Sequence, residues 1–130
     1  GANCGVGASD LLRTVLGFRA AGTELPIIAK GNAGIPKYVD GHIHYDGTPE
    51  LMARYAVLAR DCGAKIIGGC CGTQADHLRA MRAALETTPR GPAPTLDVIT
   101  DALGGFSSDS DGTDDSAPTR TRQSRRRARS

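Results

Sequence analysis

Ala64-Lys65-Ile66-Ile67-Gly68-Gly69-Cys70-Cys71-Gly72-Thr73-Gln74-Ala75-Asp76 is the stretch on which the fold turns. Residues 64–69 form a short run that reads as a strand. Two adjacent cysteines follow, flanked by glycines. Thr73-Gln74-Ala75-Asp76 then resembles a capping box, with Asp in place of the usual Glu. The helix it opens is expected to run to about Glu86, with Leu78, Met81 and Leu85 on its inner face. A strand that ends in a glycine-rich loop and passes straight into a helix is one βα unit.

The same grammar extends upstream. Thr48-Pro49-Glu50 announces a helix, with Thr48 as cap, Pro49 at the first position and Glu50 against the positive helix end. Leu51, Tyr55, Leu58 and Ala59 line one side of it, and Gly63 ends it. Residues 31–47 read as a loop, because Gly31, Asn32, Gly34, Pro36, Gly41 and Gly47 are turn residues. Pro26-Ile27-Ile28-Ala29 is a short apolar run consistent with a buried strand. Residues 9–21 read as a helix capped by Ser9 or Asp10, with Leu11, Leu12, Val15, Leu16 and Phe18 on one apolar face and Gly22 as its stop. Downstream, a connector with Pro89, Pro92 and Pro94 leads to a short helical stretch at 95–103. The order is loop, helix, strand, helix, strand, helix, which points to parallel βα units. Two strands do not make a stable parallel sheet, so the chain reads as part of a larger α/β protein.

Composition narrows the classes. The 130 residues suffice for one small domain, and with no Trp, two Phe and three Tyr the core must be aliphatic. No run approaches the roughly 20 apolar residues that cross a bilayer, so no membrane partner is expected. The start, Gly1-Ala2-Asn3-Cys4, has no Met and no signal-peptide pattern, and a chain opening directly on a motif reads as truncated. The net charge of +2 belongs to residues 107–130, where four Asp and six Arg lie; residues 1–106 carry ten basic and ten acidic groups. That terminal segment lacks apolar periodicity and reads as a disordered charged tail. Its arginines have no aromatic residues among them and acidic residues just before, so a solvated tail is expected rather than a nucleic-acid surface. The domain plan is thus 1–88 for the βα part, 89–106 for the connector and short helix, and 107–130 for the tail.

The cysteines are Cys4, Cys62, Cys70 and Cys71. An even count suits disulfides in a secreted chain, but there is no secretion signal, and adjacent Cys70 and Cys71 would strain the peptide between them if joined. Thiolates in a reducing cytoplasm fit better. Cys4 lies in Gly1-Ala2-Asn3-Cys4-Gly5-Val6-Gly7 before a helix; Cys70 and Cys71 follow a strand. Loops after parallel strands gather at one face of a barrel, so the two loops are expected to converge. Three thiolates suit zinc and leave its fourth position open, which is the pattern of a catalytic site. Such a centre carries net charge −1 and is a poor activator of water, yet it deprotonates an incoming thiol. Cys71, just before a helix N-terminus, is further favoured as a thiolate. On these residues alone, buried or redox-active cysteines are the competing reading. Cys62 reads as a small core residue. His42 and His44 read as solvated or hydrogen-bonded loop residues, with metal ligation as the alternative. Asn32, Gly34 and Pro36 either shape the rim of a substrate pocket or serve only as turn residues.

Gly-Ala-Asn-Cys-Gly at 1–5, Lys-Gly-Asn-Ala-Gly-Ile-Pro at 30–36, Tyr45 with Thr48-Pro49-Glu50, and Gly-Gly-Cys-Cys-Gly-Thr at 68–73 together resemble the homocysteine S-methyltransferases, over about residues 1–86. The resemblance implies a (β/α)8 TIM-type barrel, of which this chain supplies the C-terminal portion: the loop after strand six, then strands seven and eight with their flanking helices. It implies Cys4, Cys70 and Cys71 as zinc ligands, catalytic through the zinc, with homocysteine sulfur as the fourth ligand. The implied activity is zinc-dependent transfer of a methyl group to the thiol of homocysteine, giving methionine. The expected partners are homocysteine and a methyl donor, with a missing N-terminal barrel half without which the chain is inactive. The alternative is a noncatalytic zinc-binding fragment of a truncated or split methyltransferase. Substrate-binding residues are not assigned, and betaine, a sulfonium compound and a methylated folate acting through cobalamin all remain open as donor.

Overall fold

The computed structural model describes residues 1–5 and 7–109 of the chain. Three parallel strands form its centre in the order β1 (Ala2–Asn3), β2 (Ile27–Gly31), β5 (Ala64–Gly69). Helix α1 (Ala8–Ala20) links β1 to β2, and α2 (Pro49–Cys62) leads into β5. After β5 come α3 (Ala75–Thr87) and α4 (Leu96–Leu103). The βα alternation expected from the sequence is present, as a mixed α/β architecture with a parallel sheet.

Side chains alternate across the sheet, as the pleat requires. Ile27, Ala29 and Gly31 of β2 are buried against helices, and Ile28 and Lys30 face the other way. On the buried side Leu12, Val15, Ala29, Met52, Tyr55, Ala56, Ala59 and Cys62 make one core, which Ile99 of α4 also enters. The opposite face is open, and Ile66 on it is 54% exposed.

Helix α2 forms where its punctuation put it. The Thr48 hydroxyl accepts the Leu51 N–H at 3.2 Å, Pro49 opens the first turn, and Gly63 takes the left-handed conformation (φ 110°) that ends it. Other ends differ from expectation. Residues 1–4, read as loop, include a two-residue strand that pairs Ala2 with Ala29 and Asn3 with Lys30, too short to show any period in sequence. The N-cap of α1 is Gly7, without a side-chain bond. Ser9 and Asp10 do not cap, because they serve distant partners: the Ser9 hydroxyl donates to the Gly104 carbonyl, and the Asp10 carboxylate accepts the Ser107 N–H and hydroxyl. The box at α3 closes one residue later than Thr73, between Gln74 and His77, and Asp76 pairs with Arg79 instead. On α3 Met81 is buried, but Leu78 is 49% exposed.

The largest difference lies in residues 31–47. Strands β3 (Pro36–Val39) and β4 (His42–Tyr45) form an antiparallel hairpin there. Its turn is Asp40-Gly41, both with positive φ (50° and 79°). Asp-Gly is the pair that a two-residue turn of this hand needs. Among the described residues no helix is long and apolar enough to cross a membrane. Ser107 and Ser108, which the sequence places in the tail, touch α1: Ser107 through Asp10, and Ser108 through its carbonyl, which accepts from Arg13. The expectation of a disordered tail otherwise falls on residues 110–130, outside the described residues.

Candidate metal centre

The cysteine loops leave the ends of β1 and β5, with β2 between them. Consecutive carbonyls of β2 tie both down: Lys30 accepts the Cys4 N–H and Gly31 the Cys70 N–H, each at 2.9 Å. Asn32, the next residue and 2% exposed, joins the loops to each other. Its Oδ1 accepts the Cys71 N–H at 3.2 Å, and its Nδ2 donates to the Gly5 carbonyl at 2.9 Å. The Ala33 N–H donates to the Cys71 carbonyl at 2.9 Å. Four successive residues, 30–33, thus form the floor on which both loops rest.

The sulfurs converge as a result. Cys4 Sγ lies 3.8 Å from Cys71 Sγ, and Cys71 Sγ lies 3.9 Å from Cys70 Sγ. All three lie within 4.8 Å of one another, close enough to share one metal ion. Sulfurs bound at about 2.3 Å in a tetrahedron sit about 3.8 Å apart, so the spacing and the donor set both fit a zinc-sized ion. Cys4 and Cys70 are half-buried and Cys71 is exposed, which leaves one side of the group open to solvent.

The backbone accepts strain to achieve this. Cys4 adopts φ 65°, unusual for a residue with a side chain, and Gly5 follows at 81°. Gly72 is left-handed too (φ 74°), and a Cβ there would overlap the ring of Tyr45. Tyr45, the last residue of β4, therefore lies directly on the double-cysteine turn.

The thiols bias one another. The Cys71 thiol, and next the Gly5 amide, lower the pKa of Cys4. Burial, with the neighbouring thiols adding to it, raises that of Cys70. The Cys71 sulfur beside its hydroxyl, then burial, pushes the Tyr45 phenol up. Cys62 stands apart in the core, where burial pushes its thiol up to about 12.

Cys4, Cys70 and Cys71 are brought together as the sequence suggested, and Cys62 is a core residue. His42 and His44 are exposed on β4, outside the sulfur group. Gly34 and Gly47 pack where a Cβ would strike neighbouring atoms, and Pro36 is exposed on β3. The sequence reading did not find His77, whose ring nitrogens bond Gln74 and Gly47. Its one available signal was its place three residues after the N-cap, Gln74.

Comparison with known proteins follows the same residues. A family model described as homocysteine S-methyltransferase matches residues 1–85. The chain is 32% identical over 97 residues to a protein of Mycobacterium leprae (strain TN) named methionine synthase; the match covers 70% of this chain. It spans 8% of the length of that relative.

Proposed function

The chain belongs to the homocysteine S-methyltransferase family, and from that premise we propose that it carries the zinc-thiolate centre of an enzyme that methylates the thiol of homocysteine to give methionine. The observation that carries the proposal is the spacing of the three sulfurs, 3.8 Å from Cys4 to Cys71 and 3.9 Å from Cys71 to Cys70, in a group open on one side. Cys4, Cys70 and Cys71 would hold the ion. Zinc, when bound by three thiolates, lowers the pKa of an added thiol while leaving it electron-rich.

The chain's own residues set the geometry. Asn32 fixes the two loops against each other, and the Lys30 and Gly31 carbonyls fix both to the sheet. Gly72 lets Tyr45 cover one flank without closing the site. In the reaction the homocysteine sulfur forms a bond to the methyl carbon as the bond from donor to methyl breaks. The donor keeps that electron pair, and the thiol proton passes to solvent. The open sheet face, with Ile28 and Ile66 exposed on it, supports the view that further strands complete a (β/α)8 barrel around this portion. The same open face supports the second reading, a zinc-binding fragment without activity of its own.

The test is metal analysis and methyl transfer with the full-length protein. About one zinc per chain is expected, lost on Cys4→Ala, Cys70→Ala or Cys71→Ala and kept on Cys62→Ala. Transfer to homocysteine from one of betaine, a sulfonium compound or a methylated corrinoid is expected alongside. Undiminished zinc in all three variants would sink the ligand assignment. Zinc binding without transfer from any donor would favour the second reading.

A further inference from the structure

His77 stands outside the sulfur group, yet a chain of hydrogen bonds joins it to Cys71. Its Nδ1 accepts the Gln74 N–H at 3.1 Å. In the neutral ring the other nitrogen then carries the proton, so Nε2–H donates to the Gly47 carbonyl, 2.8 Å away. The Gly47 N–H donates to the Ala33 carbonyl at 2.9 Å, and the Ala33 N–H donates to the Cys71 carbonyl at 2.9 Å. From Cys71 the chain itself runs three residues to Gln74. The result is a closed circuit: Cys71, Gln74, His77, Gly47, Ala33 and back to Cys71.

The circuit is tightly built. Ala33 is buried, and any Cβ on Gly47 would overlap the Ala33 carbonyl, so these peptides approach as only glycine allows. Gly47 lies two residues after Tyr45, whose ring rests on Gly72. One imidazole thus fixes both the turn that carries Cys71 and the strand end that flanks it. A helix cap needs only an acceptor for the Gln74 N–H; the donor at Nε2 is an addition that serves the loop.

We propose that His77 is a positioning residue for the thiolate group, holding Cys71 at its distance from Cys4 and Cys70 through Gly47 and Ala33. This rests on the reading that the three cysteines hold a metal. Two variants separate the cap from the span. His77→Glu keeps an acceptor for Gln74 but sets a carboxylate oxygen against the Gly47 carbonyl. His77→Gln keeps both an acceptor and a donor.

The experiment loads the full-length protein with cobalt(II) and measures its affinity by chelator competition and its thiolate-to-cobalt absorption. The thermal midpoint of each metal-free variant is measured beside them. His77→Glu and His77→Ala are expected to bind cobalt 10–100-fold more weakly than wild type, the range typical of lost outer partners of metal ligands. Their thiolate absorption should shift, and His77→Gln should return to within about threefold of wild type. Wild-type affinity and spectrum in His77→Glu would overturn the proposal and leave His77 a helix cap. So would a loss in His77→Gln equal to that in His77→Glu, or affinities that simply follow the metal-free midpoints. Wild-type protein that binds no cobalt would overturn the metal reading itself, and this proposal with it.

Discussion

The hydroxyl of Tyr55 accepts the backbone N–H of Gly31 at 3.0 Å, so a residue in the middle of α2 secures the end of the central strand. Tyr55 is wholly buried, and the Gly31 carbonyl holds Cys70. Tyr55→Phe keeps the ring and orphans a buried N–H, which costs about 1–3 kcal/mol. Urea denaturation of the full-length protein is expected to show that loss. A change under about 0.5 kcal/mol would mean that the amide had found another partner.

Cys62 gives a pH dependence. Burial first, and Asp61 second, raise its thiol from an ordinary 9.0 to about 12. The folded state therefore holds this proton more tightly than the unfolded state. The stabilisation is fully present below about pH 9 and is lost as pH climbs towards 12. Between pH 9 and 11 stability should fall less steeply in Cys62→Ala than in wild type, whatever the offset between the two curves. Parallel curves would show that the thiol titrates normally. At pH 8, with metal removed, iodoacetamide should modify Cys4 and Cys71 and spare Cys62.

Arg60 supplies a cation that the last turn of α3 lacks. No basic residue lies in the last turn of α3. From α2, Arg60 donates to the carbonyls of Leu85 (3.4 Å), Thr88 (2.7 Å) and Pro89 (2.8 Å), and its Nε pairs with Asp61. Arg60→Met keeps the alkyl stem and leaves carbonyls at a helix end unpaired, with an expected loss of about 1–3 kcal/mol. Faster amide exchange at the C-terminal end of α3 should accompany it. Unchanged exchange there would show that solvent serves these carbonyls equally well.

What was legible in the sequence was local or topological. Thr48, Pro49 and Gly63 act within one turn of themselves, so α2 could be read directly. Cys4 and Cys70 could be brought together in outline because both follow parallel strands, although no pattern gives the 3.8 Å between sulfurs. Ser9 and Asp10 misled because their partners, Gly104 and Ser107, lie some 95 residues away. The hairpin had one signal, Asp40-Gly41 between β-prone runs, and the loop reading of residues 31–47 passed over it. Asn32 reads in sequence as a pocket-rim or a turn residue, and its bridge between the loops needed coordinates.

Strand β5 contains an irregularity: Ile27 faces Ala64, but Ile28 faces Ile66, so Lys65 is skipped. From there the pairing runs on to Gly31 opposite Gly69, which delivers Cys70 to the Gly31 carbonyl. Without the skip Gly31 would face Gly68, and Cys70 would be carried about 3.3 Å further along. That slip nearly equals the 3.8 Å between the Cys4 and Cys71 sulfurs, so a sheet out of step by one residue has no common point for three thiolates. An ion held by all three sulfurs would then bind only the correctly threaded sheet and would draw the population towards it by mass action. The centre would thereby proofread the fold that builds it, and misthreaded chains should accumulate when metal is scarce.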